Sequence, residues 1–493
     1  MPGEEELIQL RHEKLARLRA RGIDPYPPRV TRTHTAADAV AAFEGWEAAG
    51  AAGDAPAVSV AGRITALRDM GKAAFLDVRD GSGRIQCYLK KDIIGEEAYA
   101  GIADLDLGDF LAVTGPLFRT RTQEITVEAR SYAMLAKALR PPPEKWHGIE
   151  DVETRYRQRY LDLLGNAEVR DIFRKRAAIV ASIRRFLDAR GFMEVETPVL
   201  QPEAGGAAAT PFITHHRALD QDFFLRISLE LHLKRLIIGG FDRVYEMSRI
   251  FRNEGVSTKH NPEFTMIETY QAYADYNDVA RMAEELVSSV ALDVLGTTSV
   301  QFGEHTIDLS APWRRLTMRE ALIEHAGIDF EEYRTRDKLL EELQRRKIEV
   351  DAGWSWGKLL DEAVSHYVEP KLIQPTFLLD YPKEISPLAK SMPGAPGLVE
   401  RFEPFIAGFE IGNAYTELND PIDQRQRFET QARLAAAGLE EVETLDEDFL
   451  TALEHGMPPT GGFGMGIDRL VMILTGQKSI REVILFPALR RRE

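Results

Sequence analysis

The chain has 493 residues, of which 44% are hydrophobic and 28% charged, and its formal net charge is -16. This length exceeds the usual size of one hydrophobic core, so we expect two main domains plus a short extension. No stretch approaches the roughly 18 uninterrupted apolar residues of a membrane span, and the acidic segment 1–10 lacks the apolar region of a secretory signal. The single cysteine, Cys87, excludes an internal disulfide, so we expect a cytoplasmic protein with no membrane role.

The first predicted helix covers residues 4–21 and carries much of the basic charge of the N-terminal segment. Ile8, Leu15 and Leu18 trace one side of it, and the prolines within 22–28 end it. Global charge argues against a nucleic-acid partner. The basic residues nevertheless recur at helical spacing, and they either contact RNA locally or form a solvated helix face: Arg11, Lys14, Arg17, Arg19 and Arg21.

After a Gly- and Ala-rich connector, the pattern changes to short strands. We predict strands at residues 58–67, 73–79, 84–89, 110–118 and 124–129, with a turn at 80–83. Five short strands indicate a small closed barrel. An OB-fold, which would bind an oligonucleotide across one face, fits this count, and an SH3-like barrel is the structural alternative.

Three consecutive prolines at 141–143 indicate a stiff linker and the clearest domain boundary. We therefore expect a helical extension at 1–55, the barrel at 56–140, a linker at 141–160 and a second domain at 161–493. Beyond the linker, a long helix at about 171–190 is followed by strands without regular strand–helix alternation. This pattern favours an antiparallel sheet flanked by helices, hence an α+β protein, and no Rossmann or Walker glycine motif is present.

The most informative stretch, FRNEGVSTKHNPEFTMIETY at 251–270, is predicted to form two strands joined by a polar loop at 255–262. Phe264, Met266, Glu268 and Tyr270 share one face of the second strand, because side chains repeat every two residues, and they span roughly 20 Å. An aromatic ring at one end suits a flat base, and a carboxylate with a phenol at the other suits a cation. Ordinary amphipathic alternation does not explain Glu268 among apolar neighbours.

A second acidic segment lies at 403–417. If Ala407-Gly408 is a two-residue hairpin turn, Glu403 and Glu410 lie diagonally on one face, where they can share a hard cation such as Mg²⁺; scattered surface acids are the alternative. The next strand presents three residues on one face, Asn413, Tyr415 and Glu417, but their parity differs from that of Glu410. We therefore expect a bulge near Gly412, so that both sets face one cleft.

Three ordered stretches resemble the motifs of class II aminoacyl-tRNA synthetases. GFMEVETPVL at 191–200 is similar to motif 1, FRNEG with HNPEFTMIE to motif 2, and GGFGMGIDRL at 461–470 to motif 3. EAGGAAATPFITHH at 203–216 and FEIGNAYTELNDP at 409–421 resemble the lysine-specific subgroup of bacterial type. The similarity extends from the barrel to the C-terminus.

The resemblance implies an ATP-dependent ligase that joins L-lysine to tRNA(Lys) through a lysyl-adenylate, releasing AMP and pyrophosphate. It further implies ATP as substrate, up to three Mg²⁺ ions per active site, an anticodon-binding OB-fold and a class II catalytic domain at 161–493. It also implies a homodimer formed through the helix at 172–187 and the strand around 194–198.

By the same resemblance, Arg252 bridges the lysine carboxylate and the ATP α-phosphate, while Phe264 and Arg469 sandwich adenine. Three further residues hold the adenine amino group and the outer phosphates: Glu254, Lys259 and His260. Glu403 and Glu410 bind the metal ions.

The resemblance also assigns the lysine pocket. Glu417 and Tyr270 hold the ε-ammonium with Glu268 nearby, whereas Glu230 and the Gly206 backbone hold the α-ammonium. Asn413 serves the carboxylate side. The chain departs from the residues usual in this family at two places. One is Ser228-Leu229, before the strand expected at Glu230, and the other is Tyr415, where phenylalanine is frequent.

In the barrel, the expected anticodon contacts are Arg68, Phe75, Gln86 and Glu124, with Phe75 as a stacking platform for unpaired bases. The alternative for Phe75 is a place in the barrel core.

Three other functions compete with this interpretation. An aspartyl- or asparaginyl-tRNA synthetase would need a cationic pocket rather than an acidic one. The paralogue that attaches lysine to elongation factor P lacks the barrel. A non-catalytic RNA-binding paralogue would not need Arg252, Glu403, Glu410 and Arg469 together.

Overall fold

The computed structural model describes residues 3–142, 149, 151–203, 205–207, 209–436 and 446–490. The chain forms two compact units, Met1–Glu150 and Asp151–Glu493. Among the described residues, no helix is both long enough and apolar enough to cross a membrane.

The first unit contains a six-stranded sheet with the order β1-β2-β3-β5-β4-β6, which closes on itself because β1 also pairs with β4. Its strands are β1 (Ala57–Asp69), β2 (Ala73–Arg79), β3 (Arg84–Lys90), β4 (Phe110–Arg119), β5 (Ile125–Glu128) and β6 (Ser131–Ala136). The five predicted strands are confirmed. The last strand, β6, was not predicted, because only Met134 of its six residues is buried and its apolar pattern is weak.

Helices of the first unit pack against this barrel. They are α1 (Glu4–Ala20), α2 (Ala36–Ala48), α3 (Lys91–Ile94) and α4 (Glu96–Ala100), with a 3-10 turn at Gly101–Asp104. Helix α2, which lies mostly before the connector predicted at about 45–56, begins at a capping box formed by Thr35 and Asp38 and buries Phe43 in the barrel core. Sequence reasoning missed it because its alanines give little periodicity.

Four of the five basic residues in and just after α1 pair with other groups of this unit, although Arg17 and Arg21 remain exposed. Arg11 is buried and donates to the carbonyl oxygens of Ala138 and Leu107 at 2.8 and 3.0 Å. Lys14 pairs with Asp106, and Arg17 and Arg21 both pair with Asp104. Of the five basic residues, Arg19 remains exposed without a described partner. Arg11 and Lys14 therefore attach this helix to the rest of the unit, while Arg17, Arg19 and Arg21 form an exposed basic face.

The second unit is built on a ten-stranded sheet. Its main path runs β15-β16-β18-β20-β21-β12-β11-β7, with β17 and β19 paired to β18. The strands are β7 (Met193–Glu194), β11 (Arg243–Phe251), β12 (Glu263–Ala272), β15 (Arg314–Thr317), β16 (Thr376–Pro382), β17 (Ser391–Met392), β18 (Ala395–Ile406), β19 (Phe409–Glu410), β20 (Gly412–Thr416) and β21 (Thr460–Gly466). All central pairs of this sheet are antiparallel, as predicted, and among its described pairs only β7–β11 and β15–β16 are parallel.

Two small sheets flank it. One comprises β8 (Leu200–Gln201), β9 (Ile213–His216) and β10 (Gln221–Leu225), and the other β13 (Ser299–Phe302) and β14 (His305–Asp308). The helices of this unit are α5 (Val152–Arg157), α6 (Arg159–Gly165), α7 (Ala167–Asp188), α8 (Glu230–Ile238), α9 (Tyr276–Leu295), α10 (Met318–Ala326), α11 (Arg336–Arg345), α12 (Trp356–Tyr367), α13 (Pro421–Ala436), α14 (Glu447–Glu454), α15 (Ile467–Thr475) and α16 (Ile480–Val483). Short 3-10 turns occur at Glu369–Lys371 and Lys383–Ile385.

The main core covers one face of the large sheet. Helices α7, α9 and α15 contribute Ile183, Val287 and Leu470, which pack with Ile267 and Phe463 from the strands. Residues that alternate with these along β12, β20 and β21 point away from the helices. The opposite face of the sheet therefore remains available as the floor of a cleft.

Candidate active site

Strand β12 lines this cleft with the row that its two-residue spacing predicts. Phe264, Met266, Glu268 and Tyr270 all face a cavity of about 620 Å³, a size typical of small-molecule sites, whereas Ile267 lies in the core on the other side. The row is therefore confirmed as one wall of a single pocket.

Glycines on β21 leave room for that row. Gly462 and Gly464 pair with Tyr270 and Glu268 across the sheet. A Cβ at Gly462 would lie 1.9 Å from Glu417 Oε1 and 2.7 Å from Tyr270 Cε1. Because any side chain there would displace the carboxylate, the glycine-rich sequence of β21 is a spatial requirement of the pocket.

The acidic hairpin has the predicted register. Phe405 pairs with Glu410 and Ile406 with Phe409, and the turn residues Ala407 and Gly408 have φ of 56° and 74°, as a type I′ turn needs. Further along, Phe402 of β18 pairs with Ala414 of β20. Between this pair and the Phe405–Glu410 pair, the chain after the turn therefore has one residue more than β18. The structure thus confirms the bulge, which lies at Ile411, and Glu410, Asn413, Tyr415 and Glu417 all line the same cleft.

One end of the cleft is rich in cationic groups. The Arg252 guanidinium carbon lies 5.4 Å from the Phe264 ring centroid, and Lys259 Nζ lies 4.8 Å from that of Phe409. Arg469 donates to the Glu410 carboxylate at 3.0 Å and lies 3.3 Å from His260 Nε2. Glu254, Lys259 and His260 are exposed on the loop before β12, and all of them line the cleft.

Burial and neighbouring charges shift the pKa values of two residues at this end of the cleft. Partial burial of the imidazole, with repulsion from the Arg469 guanidinium, lowers the pKa of His260 and so favours its neutral form. Burial also lowers the pKa of Arg252, against the opposing influence of Glu254 and Glu410. The guanidinium groups of Arg252 and Arg469 and the ammonium of Lys259 are donors that suit the oxygens of a phosphate chain.

Glu403 and Glu410 are suited to share a divalent cation. Burial raises the pKa of Glu403, and repulsion from Glu410 adds to the rise although Arg401 opposes it. The two carboxylates are thus near enough to repel each other, and a hard cation with oxygen ligands would relieve this. No group of three or more potential metal ligands occurs among the described residues, so phosphate and water would complete the coordination.

The other end of the cleft is acidic and buried. Glu230, Glu268, Tyr270 and Glu417 are each at most 6% exposed. Glu268 accepts hydrogen bonds from the Leu229 N–H at 3.0 Å and from the Tyr270 hydroxyl at 3.1 Å. Burial, with repulsion from Glu230, raises the pKa of Glu268 to about 7. Three buried acids in one pocket favour a ligand that carries more than one positive charge.

Gly206 and Ser228 close this end. Gly206 has φ of 83°, and a Cβ there would lie 3.0 Å from Ser228 Oγ, so its backbone approaches the pocket as only glycine allows. The expected strand at Glu230 is wrong, because helix α8 begins there, with the Ser228 hydroxyl accepting the Glu230 N–H at 3.1 Å. Burial of Leu233 and Ile237 on one helix face explains the difference.

Two important residues were missed by sequence reasoning. Lys234 is fully buried, and its ammonium lies 2.5 Å from both Glu230 Oε1 and Glu417 Oε2. Arg401 donates to Asn413 Oδ1 at 3.1 Å and to Glu403 Oε1 at 2.6 Å, and so links Asn413 to the Glu403 carboxylate. The Glu-x-x-x-Lys spacing would have indicated the first pair, had residues 230–238 been recognised as helical.

On the barrel, the predicted anticodon residues occupy neighbouring strands. Arg68 pairs with Phe75 across β1 and β2, and Gln86 accepts a hydrogen bond from Thr126 at 3.0 Å. Glu124 pairs with Arg84. Phe75 is only half-buried and points away from the barrel core formed by its neighbours Ala74 and Leu76.

An aromatic row extends from Phe75. Its ring centroid lies 4.8 Å from that of Tyr88, which in turn lies 6.0 Å from Phe118. Three partly accessible rings on one face resemble the platforms on which single-stranded bases stack. Sequence reasoning missed Tyr88 and Phe118, because only the assembled barrel places their strands together.

Comparison with known proteins gives two family matches. Residues 151–490 match the class II tRNA synthetases (D, K and N), and residues 58–135 match the OB-fold nucleic acid binding domain. The barrel is therefore an OB-fold rather than an SH3-like barrel, and the α+β fold is confirmed.

Several curated relatives match over almost their whole length. The lysine–tRNA ligase of Dehalococcoides mccartyi is 56% identical, with 99% of this chain and 98% of the relative covered. Those of Roseiflexus castenholzii and Moorella thermoacetica are 56% and 53% identical, with at least 99% of this chain and 99% of each relative covered. By these matches, the chain belongs to the class II tRNA synthetase family.

Proposed function

We propose that this protein ligates L-lysine to tRNA(Lys), using ATP and passing through a lysyl-adenylate. One observation carries the proposal: a single cleft has buried acids at one end and cations with an aromatic ring at the other. The names of the relatives, all lysine–tRNA ligases, support the same substrate.

In the first step, the lysine carboxylate attacks the α-phosphorus of ATP and pyrophosphate leaves. Arg252 contacts the carboxylate and the α-phosphate, and its planar guanidinium follows the charge that develops on the phosphorus. Phe264 and Arg469 hold adenine between them. Glu254 accepts from the adenine amino group, and Lys259 and His260 contact the outer phosphates.

Mg²⁺ would be held by Glu403 and Glu410 together with phosphate oxygens, up to three ions per site, and would neutralise charge on the leaving pyrophosphate. The protein supplies no nucleophile. Positioning and electrostatic stabilisation account for most of the acceleration, because both reacting groups belong to the substrates.

Specificity follows from the acidic end. Glu417 and Tyr270 receive the ε-ammonium with Glu268 beside them, while Glu230 and the Gly206 backbone receive the α-ammonium. Asn413, hydrogen-bonded to the Tyr415 hydroxyl, faces the carboxylate side. Leucine or methionine would leave a buried carboxylate unpaired, at a cost of roughly several kcal/mol, and aspartate would add negative charge to an acidic pocket.

In the second step, the terminal adenosine of the tRNA takes the lysyl group and AMP is released. The barrel would bind the anticodon through Phe75, Arg68, Gln86 and Glu124. Its match to a nucleic acid binding domain also distinguishes this chain from the barrel-less paralogue that modifies elongation factor P.

A homodimer and a cytoplasmic location complete the proposal. Strand β7 lies at the edge of the main sheet, and the nearby Leu200 is exposed, so this side can receive a second copy. The one cysteine, Cys87, is buried and unpaired, as suits a reducing compartment.

The test is ATP/pyrophosphate exchange with each of the twenty amino acids, followed by aminoacylation of tRNA(Lys). We expect lysine to support exchange at least tenfold better than any other amino acid, because a substrate lacking a matching charge loses several kcal/mol. Exchange supported by aspartate or asparagine instead would contradict the proposal, as would lysine-dependent exchange without transfer to tRNA(Lys).

A further inference from the structure

A fully buried lysine lies behind the acidic wall of the cleft. Lys234 is on helix α8, one turn after Glu230, and its ammonium lies 2.5 Å from Glu230 Oε1 and from Glu417 Oε2. Both carboxylates line the cleft, but Lys234 itself does not. A buried ammonium is costly unless it is paired, so this contact with two acids is a strong constraint on where both carboxylates lie.

Each of these carboxylates keeps one oxygen away from Lys234. Glu417 Oε1 lies beside Gly462, and no described residue donates a well-aligned hydrogen bond to it. For Glu230, the Lys234 contact is to Oε1. Lys234 therefore contacts one oxygen of each acid and leaves the second oxygen of each to be paired by a substrate ammonium.

The positive charge of Lys234 also offsets the repulsion between the acidic side chains around Glu417. Glu417 is surrounded by Lys234 and Glu230 from α8 and by Glu268 and Tyr270 from β12. Burial raises the pKa of Glu417, the nearby Lys234 ammonium counteracts this, and repulsion from Glu230 and Glu268 adds to the rise. Without Lys234, Glu417 would bind a proton more readily and lose the charge that attracts a cation.

Resting on the proposed function, we infer that Lys234 is a positioning residue for lysine recognition. Its ammonium aligns Glu230 and Glu417 as a spaced pair and favours the charged form of Glu417, so that each accepts one ammonium group of the substrate. Lys234 acts through the two acids and does not touch the substrate.

The experiment compares lysine-dependent ATP/pyrophosphate exchange in the wild type, Lys234→Met and Lys234→Arg between pH 6.5 and 9. Methionine keeps the unbranched shape but removes the charge. At pH 7 we expect Lys234→Met to raise KM for lysine by about tenfold or more, the size of one charge-assisted contact, with kcat and KM for ATP changed less than about threefold. Lys234→Arg, which retains the charge, should recover part of the loss. The matched control is Lys338→Met, on an exposed part of α11 outside the cleft.

The pH profile separates this role from simple packing. Because raising the pH ionises Glu417, the ratio of the KM values for lysine, Lys234→Met over wild type, should decrease toward pH 9. The ratio also cancels titration of the substrate itself. A ratio near one at pH 7, or a raised ratio independent of pH, would overturn the inference.

A double variant keeps the test decisive if Lys234→Met does not fold. Lys234→Met/Glu417→Gln removes the cation and one acid together, and so leaves fewer unpaired buried charges. We expect its KM for lysine to lie within about threefold of Glu417→Gln alone, since coupled residues are not additive. A further tenfold loss would contradict the inference. Absence of lysine-dependent exchange in the wild type would instead count against the proposed function.

Discussion

At the scale of single residues, Glu417 shows how one buried charge can select a substrate. Its carboxylate is fully buried, one oxygen faces the Lys234 ammonium and the other faces the space beside Gly462. Such a group must find a cation or a proton, because an isolated charge in the interior is costly. The ε-ammonium of lysine meets this requirement in our proposal.

We predict that Glu417→Gln lowers kcat/KM for lysine while KM for ATP stays nearly constant. A charge-assisted contact is worth roughly 1.5 to 3 kcal/mol, which corresponds to about ten- to hundredfold. Pyrophosphate exchange with lysine as the varied substrate measures this. Glu304→Gln, on the exposed β13–β14 hairpin, is the matched control. A change of less than twofold would mean that the ε-ammonium binds elsewhere.

At the cationic end, Arg252→Lys should reduce kcat for adenylate formation far more than it raises KM for lysine. A lysine ammonium is a point charge and cannot reproduce the two-pronged contact of a guanidinium with a transition-state phosphate. Arg249→Lys, on the exposed side of β11, which ends just before Arg252, and 3.5 Å from Glu263, should leave both constants unchanged. An effect on KM alone would refute the role given to Arg252.

At the scale of elements, the side chains of strand β2 alternate between the barrel core and the outer face of the barrel. Ala74 and Leu76 point into the barrel core, whereas Phe75 points outward beside Tyr88. A strand with one face in a core can present binding groups on the other without loss of stability. The packing therefore favours the platform over the core alternative for Phe75.

We predict that Phe75→Ala weakens aminoacylation of tRNA(Lys) by about tenfold or more, because one stacked base is worth roughly 1 to 3 kcal/mol. Exchange without tRNA and thermal stability should stay almost unchanged. Leu76→Ala is the contrasting variant and should instead destabilise the barrel by roughly 2 to 5 kcal/mol. If Phe75→Ala destabilises the barrel by roughly 3 to 5 kcal/mol without loss of tRNA affinity where it stays folded, the anticodon assignment is wrong.

At the scale of the whole molecule, the second unit carries several exposed apolar residues. Met193, Leu200 and Ile213 are 41%, 46% and 64% exposed, and Met193 lies on the edge strand β7. Helix α7, which the sequence assigned to the dimer contact, buries Ile179 and Ile183 in the core. In our proposal the second copy therefore contacts the edge strand and the outer face of α7.

We predict that Leu200→Asp shifts the protein from dimer to monomer, because a carboxylate in an apolar interface is strongly disfavoured. Sedimentation equilibrium over a range of concentrations measures the change. Ile323→Asp, at an equally exposed apolar position on α10, should remain dimeric. A wild type that is monomeric at micromolar concentration would contradict the homodimer.

Sequence alone determined those features that depend on spacing within one element or one hairpin. The β12 row, the Glu403–Glu410 hairpin and the bulge before Asn413 were all predictable, because side chains alternate along a strand and a two-residue turn sets the register. The resemblance of three ordered motifs identified the family, which the comparisons confirm.

Tertiary structure alone decided which distant groups meet. The segment at Glu230 is a helix, not a strand, because short apolar runs are ambiguous until packing selects the face to bury. Only that helix places Lys234 against Glu417, and only the assembled sheet places Arg401 between Asn413 and Glu403. Lys234 and Glu417 lie far apart in the chain, and because a buried charge is costly without a partner, burial makes each require the other, a constraint that no local pattern records.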